Sequence, residues 1–189
     1  GTQKALEDIS FEAERGKITG FLGPNGAGKS TTMKIATGYI GATSGSVKVN
    51  DVDVSLDPLK VKHLTGYLPE HNPLYLEMYV KEVLILDEPT SGLDPNQLVE
   101  IRSVIKEASK DKTVILSTHI MQEVEALCDK VIIINKGKIV ADDEVKNLKS
   151  MNAKMVSYKV EFETEINQEL FSEAELTISL IATNSYQIS

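Results

Sequence analysis

The segment Gly23–Thr31, which reads GPNGAGKST, carries residue types that bind phosphate groups. Its glycines let the backbone curl so that successive N–H groups point inward, while Lys29 can reach phosphate oxygens and Ser30 can offer a hydroxyl to Mg²⁺. The pattern G-x-x-x-x-G-K-[ST] is met in full. We therefore predict a nucleotide phosphate site formed by Gly23, Pro24, Asn25, Gly26, Ala27, Gly28, Lys29, Ser30 and Thr31.

A second chemical signal is the run VLILDE, an apolar segment that ends in two acids. A strand that is apolar on both faces belongs in the centre of a parallel sheet, and it delivers its last residues to the edge where ligands bind. There Asp87 would hold the shell of a Mg²⁺ ion, and Glu88 would orient and deprotonate an attacking water. His119 follows another such strand, TVILST, so we expect it at the same edge.

The elements that must position these residues alternate as short apolar strands and helices. This pattern predicts an α/β fold of the P-loop NTPase type, with a mainly parallel sheet flanked by helices, a small antiparallel part and a small C-terminal α+β appendage. The expected strands lie within 17–23, 45–50, 61–69, 83–87, 112–119 and 130–141, and the expected helices are 29–40, 96–109 and 120–128. The segment 141–149 predicts a further helix that begins with acids and ends with lysines.

The pattern of apolar and polar residues changes near Met151, which predicts a domain boundary. Residues 1–150 are expected to form the catalytic core, whereas 151–189 alternate strictly in places and carry no chemical motif. A half-buried strand is expected where Val156, Tyr158, Val160 and Phe162 share one face.

Composition narrows the possible partners and compartment. The net charge is −8, from 20 Lys and Arg against 28 Asp and Glu, which argues against broad nucleic-acid binding. The single cysteine, Cys128, excludes a disulfide framework and favours a reduced, cytoplasmic setting. No apolar run is long enough to cross a membrane and no leader pattern is present, so a membrane role would require a partner.

Together the segments GPNGAGKST, LDEPTSGLDP and ILSTHIMQEVE resemble the ATP-binding subunits of ABC transporters over residues 3–145. The resemblance implies an ATPase that uses ATP and Mg²⁺ and pairs with a second ATP-binding subunit. It also implies a transmembrane permease partner that holds the protein on the inner face of the membrane. The two phosphate-site motifs are then Walker A and Walker B, with Lys29, Glu88 and His119 as catalytic residues. A D-loop facing the second subunit would comprise Ser91, Gly92, Leu93 and Asp94.

Glu70 occupies the place of the family's Q-loop residue, which is more often Gln and links the γ-phosphate and Mg²⁺ to the permease. Its carboxylate still offers oxygens to the metal or to water, so we assign Glu70 to the metal site together with Ser30 and Asp87.

The chain also departs from the family, because it lacks the helical subdomain and the L-S-G-G-Q signature that completes the ATP site of the opposite subunit. The helix-like MYVKE runs directly into the strand VLILD, which places the seam at about residues 81–83. Either several dozen residues of the natural protein are omitted at this seam, or the deletion is genuine. The adenine-stacking aromatic is also missing; Phe11 is not expected to replace it, because its alternation with Ile9 directs it to the core.

The loop YLPEHNPLYLEMYVKE resembles exporter-type subunits, including the one linked to bacterial gliding motility. Two other classes stay open. One is a soluble ABC-type ATPase of DNA repair or chromosome maintenance, although the heptads of its coiled coils are missing. The other is a non-hydrolysing, nucleotide-gated interaction module, which would follow from a genuine deletion.

Overall fold

The computed structural model describes residues 4–70, 82–152, 158–161, 178–182 and 185–188. Residues 78–81 of the seam and the predicted strand residues Val156 and Phe162 lie outside these ranges. The chain divides into two compact units, Gly1–Val145 and Lys146–Ser189.

The first unit is built on a sheet of six strands in the order β4-β5-β6-β1-β7-β8. All neighbouring pairs are parallel except β7 and β8, which form an antiparallel hairpin. The strands are β1 Ile18–Leu22, β4 Thr65–Leu68, β5 Val83–Asp87, β6 Thr113–Thr118, β7 Lys130–Asn135 and β8 Lys138–Glu144, and the pair β2 Lys48–Val49 and β3 Val52–Asp53 forms a separate antiparallel ribbon.

Helices pack against this sheet, as expected for parallel strands that are buried on both faces. They are α1 Lys29–Ala36, α2 Pro58–Leu64, α3 Pro95–Ser109 and α4 Met121–Leu127, and a further helix, α5 Val145–Asn152, follows β8 along the chain. The central strand β5 is buried at every position, which confirms the interpretation of VLILD. The core contains Phe21, with Phe11 packed on it at a ring-centroid distance of 5.2 Å, so Phe11 does face the core. Cys128 is also buried, and burial raises the pKa of its thiol to about 12.

Two of the expected elements differ from the observed ones. Helix α1 ends at Ala36 rather than at residue 40, because Gly38 turns the chain with a φ of 68°. The helix predicted at 141–149 is present but begins later, at Val145, because Asp142, Asp143 and Glu144 belong to β8. Antiparallel pairing with β7 continues to Glu144, and an ion pair between Lys130 and Asp142 supports it at 2.8 Å.

The seam residue Glu82 enters the sheet as the residue before β5. Its N–H donates to the Leu64 carbonyl at 3.2 Å, its carbonyl accepts from Thr113 at 3.0 Å, and its carboxylate pairs with Arg15 at 3.0 Å. The chain is therefore hydrogen-bonded into the sheet from Glu82 onward.

In the second unit, a three-stranded antiparallel sheet has the order β10-β11-β9. Its strands are β9 Tyr158–Glu161, β10 Ile178–Ala182 and β11 Ser185–Ile188. Across the ranges that the structure describes in both units, no helix is both long and apolar enough to span a bilayer.

Candidate nucleotide site

Three parallel strands bring the predicted site residues to one edge of the sheet. Strand β6 lies between β1 and β5, with Asp87 paired to Ser117 and Leu22 paired to Thr118 in the register. The phosphate loop follows β1, the two acids close β5, and His119 follows β6. This topology places the three motifs side by side because the carboxyl ends of parallel strands meet at one edge.

The loop Gly23–Thr31 borders a cavity of about 400 Å³. The cavity is lined by Ala5, Asn25, Gly26, Gly28, Lys29, Ser30, Thr31, Glu70 and Glu88. The structure thus brings Glu70 to the same cavity as the loop, whereas Gly23, Pro24 and Ala27 are not among the lining residues. Asp87 and His119 are not among the lining residues either, but His119 contacts Glu88, which is one of them.

Helix α1 begins at Lys29 without a side-chain cap on its N-terminus. Gly28 occupies the N-cap position with a φ of 112°, and no acid lies in the first turn. The amide N–H groups of this turn therefore face the loop, and the helix dipole adds partial positive charge there. Such a terminus is suited to an anion such as a phosphate.

The loop glycines differ in what their missing side chains would meet. A Cβ on Gly23 would stand 2.3 Å from the carbonyl oxygen of Ile134, whereas a Cβ on Gly26 would meet no atom within 4 Å. Gly26 has a φ of 78°, which only glycine adopts at little cost. The first glycine is thus required by packing and the second by backbone conformation.

Replacing Gly23 by Ala is therefore expected to destabilise the protein by about 3 kcal/mol, because the new methyl group overlaps a backbone oxygen that cannot move alone. The matched change Gly26→Ala should cost about 1 kcal/mol, the price of a left-handed alanine in open space. Urea unfolding followed by circular dichroism measures both. Equal losses for the two variants would contradict this account of the loop.

Lys29 and Glu88 form a buried ion pair at the centre of the site. The Lys29 Nζ lies 3.2 Å from Glu88 Oε1 and donates to the carbonyls of Gly23 at 2.6 Å and Pro24 at 3.3 Å. The other Glu88 oxygen, Oε2, lies 2.9 Å from His119 Nδ1. Glu88 therefore joins the loop lysine to the histidine, and each of the three residues comes from a different strand end.

Glu88 adopts a strained backbone conformation, with a φ of 50°. A non-glycine residue in this region costs about 1 kcal/mol or more and persists only where surrounding contacts hold it. The Glu88 N–H donates to both the hydroxyl and the carbonyl of Ser117, at 3.1 and 3.2 Å. The strain is consistent with a functional orientation of its carboxylate.

Asp87 is buried beside Glu88, and two hydroxyl groups contact it. Ser117 donates to Oδ1, and Tyr67 donates to Oδ2 at 3.5 Å. Burial, together with the nearby Asp87 charge, raises the pKa of Tyr67 to about 12, so its phenol stays protonated and able to donate. Sequence reasoning did not identify Ser117 or Tyr67 as site residues, because neither stands in a recognised motif position.

A second buried pair, the hydrogen-bonded side chains of Thr118 and Glu123, lies next to His119 along the chain. The Thr118 hydroxyl donates to Glu123 Oε2 at 2.6 Å and accepts from the Ile120 N–H at 3.1 Å. Glu123 lies on α4, so this helix is tied to the end of β6. The sequence analysis made no prediction for Glu123, which is buried.

The D-loop segment follows Glu88 in a tight turn. The N–H of Ser91 donates to the Glu88 carbonyl at 3.1 Å, Gly92 has a φ of 77°, and Leu93 bonds back to Thr90. Asp94 caps α3: its carboxylate accepts from Asn96 and Gln97, and Gln97 bonds back to the Asp94 N–H. The Asp94 side chain thus caps α3, and its role facing a second subunit stays a prediction.

The residues at this edge fit a magnesium nucleotide. Among the residues that the structure describes, none donates a hydrogen bond to the buried oxygen Glu88 Oε1, although it faces the Lys29 ammonium. Such an oxygen can accept a proton or a hydrogen bond from water. The Ser30 hydroxyl and the Asp87 carboxylate would supply the hard oxygen ligands that Mg²⁺ prefers.

Known proteins resemble this chain in sequence and in fold. The model of the family described as ABC transporter matches residues 6–148. The chain is 28% identical over 218 residues to the bacitracin transport ATP-binding protein BcrA of Bacillus licheniformis, covering 85% of this chain and 71% of the relative. It is 32% identical over 196 residues to the uncharacterized ABC transporter ATP-binding protein MJ1023 of Methanocaldococcus jannaschii, covering 78% and 75%.

Other relatives are longer, and the chain spans only 24% of ABC transporter A family member 1 of Dictyostelium discoideum. Among solved structures, an ATP-binding subunit of an ABC transporter superposes with a TM-score of 0.69 at 22% identity. This match covers 79% of this chain and 87% of the other. At that identity the superposition establishes the fold.

Proposed function

Because the chain belongs to the ABC transporter family of ATP-binding domains, we propose that it hydrolyses ATP to drive a membrane permease. The observation that carries this proposal is the Lys29–Glu88–His119 series of contacts beside the phosphate loop. Phosphoryl transfer to water uses a cation that offsets the charge of the phosphate and a group that orients or deprotonates the water, and Lys29 and Glu88 are of these two types.

The proposed reaction uses these residues in distinct roles. Glu88 accepts a proton from water as the water oxygen bonds to the γ-phosphorus. The bond from that phosphorus to the bridging oxygen breaks, which leaves ADP and phosphate. Lys29 and the amides of α1 offset the charge of the transferring group, and His119 holds Glu88 and contacts the γ-phosphate. Ser30 and Asp87, with Glu70, would hold Mg²⁺, which when bound offsets further phosphate charge.

The proposal includes a second copy of the subunit, which supplies the other half of each ATP site. The D-loop, Ser91–Asp94, would face that copy, as the family resemblance implies.

The signature segment that completes the site is absent from this sequence. The alignment to the bacitracin relative supports an omitted segment, since it runs over 218 residues but draws on only 85% of this 189-residue chain. Several dozen positions of the relative therefore have no counterpart here.

We further propose that the permease holds this subunit on the cytoplasmic face of the membrane. An exposed apolar surface supports a protein partner: Tyr39 is 72% exposed and Leu56 is 84% exposed, with Ile40 and Leu59 also exposed. Gly38 lies against Pro58, so the segments that carry these side chains are neighbours. Monomeric proteins seldom leave such groups of large apolar side chains in water.

We propose that the transporter is an exporter. Within that class, this chain resembles most specifically the subunit linked to gliding motility. Relatives named for bacitracin transport and for linearmycin resistance support the exporter class.

The alternative of a non-hydrolysing interaction module is favoured by one observation, the absence of a signature segment in this sequence. Co-purification with a polytopic membrane protein would support the transporter, and co-purification with DNA-repair or chromosome-maintenance proteins would reject it in favour of an ATPase of that class.

The chain of this sequence is expected to bind ATP with Mg²⁺ but to release phosphate at close to the background rate, because no signature segment completes the site. Calorimetry measures the binding, and a phosphate-release assay measures the turnover. Failure to bind ATP would reject the proposed function. Sustained turnover would instead reject the requirement for the omitted segment.

A further inference from the structure

The hydroxyl group of Ser117 lies between the two acids that end β5. It donates its only proton to Asp87 Oδ1 and accepts the N–H of Glu88 at 3.1 Å. Ser117 pairs directly with Asp87 in the sheet register, so its side chain meets Asp87 from the neighbouring strand. One hydroxyl therefore contacts both acids.

No water can replace this hydroxyl without rearrangement, since Ser117 is 0% exposed. A buried carboxylate that loses a hydrogen-bond donor is free to rotate or must find another partner. The other contact of Asp87 is the longer one, from Tyr67 at 3.5 Å. The orientation of the Asp87 carboxylate therefore depends mainly on Ser117.

The same hydroxyl is one of two acceptors for the backbone N–H of Glu88. The Glu88 φ of 50° is unfavourable, and its N–H donates to Ser117 through both Oγ and the carbonyl oxygen. This backbone direction sends the Glu88 carboxylate toward Lys29 and His119. A change at Ser117 is thus transmitted to both acids.

We propose that Ser117 is a positioning residue that sets Asp87 toward the hydrated metal and Glu88 toward the attacking water. This inference rests on the proposed function, because it assigns Ser117 to the Mg²⁺-dependent part of ATP binding. A purely structural hydroxyl would stabilise the fold without affecting how much Mg²⁺ strengthens ATP binding.

The test compares Ser117→Ala with the wild-type chain by titration of a fluorescent ATP analogue, first in EDTA and then across a range of Mg²⁺ concentrations. The affinity in EDTA should stay within about twofold, because the phosphate loop is untouched. The gain in affinity on adding Mg²⁺ should fall about tenfold, as is usual when a group supporting a metal ligand is removed. Ser117→Thr, which keeps the hydroxyl, should restore most of the gain.

Thr118→Val is the matched control, since Thr118 is also 0% exposed and its hydroxyl also donates to a buried carboxylate, that of Glu123. It should lower the melting temperature but leave the Mg²⁺ gain unchanged. If Ser117→Ala does not fold, Ser117→Cys carries the same test, because a thiol of similar shape donates weakly. The inference fails if the Ala or Cys variant keeps the full Mg²⁺ gain, or if the control loses as much. A wild-type chain without any Mg²⁺ gain would reject the proposed function itself.

Discussion

Replacing Lys29 by Met is expected to weaken ATP binding about 100-fold, which corresponds to about 2.7 kcal/mol. Lys29 is buried and holds its ammonium group among the Gly23 carbonyl, the Pro24 carbonyl and Glu88. Methionine keeps most of the side-chain volume and removes the positive charge. The loss should therefore come from missing charge-assisted hydrogen bonds to phosphate oxygens rather than from a cavity.

Calorimetric titration with ATP and Mg²⁺ measures this loss. Lys34→Met is the matched control, because Lys34 is on the same helix but does not line the cavity. Its affinity should stay within about twofold of the wild-type value, the range expected for a distant charge. A Lys29→Met variant that binds ATP normally would show that the phosphate loop is not the nucleotide site.

Lys29→Met should also lower the free energy of unfolding of the protein in the absence of nucleotide. Removing the Lys29 ammonium leaves the buried Glu88 carboxylate without that ion-pair partner, and the loss of a partner from a buried charge is costly. A double variant that also carries Glu88→Gln should recover part of the lost stability, since the amide is neutral. Urea unfolding of the two variants provides this comparison.

In the protein that carries the signature segment missing from this sequence, replacing Glu88 by Gln is expected to reduce phosphate release about 100-fold, the usual size of a general-base contribution. The amide cannot accept the proton of the attacking water, although its shape matches the carboxylate. ATP binding should be retained or become a few times tighter, because the change releases Lys29 from its ion pair and removes a negative charge close to the phosphates.

The binding and turnover effects of Glu88→Gln are measured separately, by fluorescent-nucleotide titration and by phosphate release under single-turnover conditions. Glu125→Gln, at an exposed position of α4, removes the same charge away from the site and should change neither quantity. Size-exclusion chromatography with ATP should show more dimer for the Glu88 variant if the ATP-bound state is trapped. Retained turnover would contradict the assignment of Glu88 as the base.

The amino-acid sequence by itself determined the parts of the site that depend on local pattern. The loop Gly23–Thr31 needs glycines and a lysine at set spacings, and the fully apolar run of β5 predicts a central strand that ends at Asp87 and Glu88. These features involve residues close together in the chain, so their chemistry and periodicity can be identified without a tertiary structure. The seam before β5 was visible for the same reason, since a helical pattern met a strand pattern without a turn.

Tertiary structure alone decided which side chains support those residues. Ser117 reaches Asp87 across 30 positions of sequence, and Glu88 contacts His119 across 31, only because β6 lies beside β5. Likewise, the acids 142–144 have the composition of a helix start, yet pairing with β7 keeps them in a strand. Such contacts depend on strand order and register, which arise from burial of the whole sheet and not from any short segment.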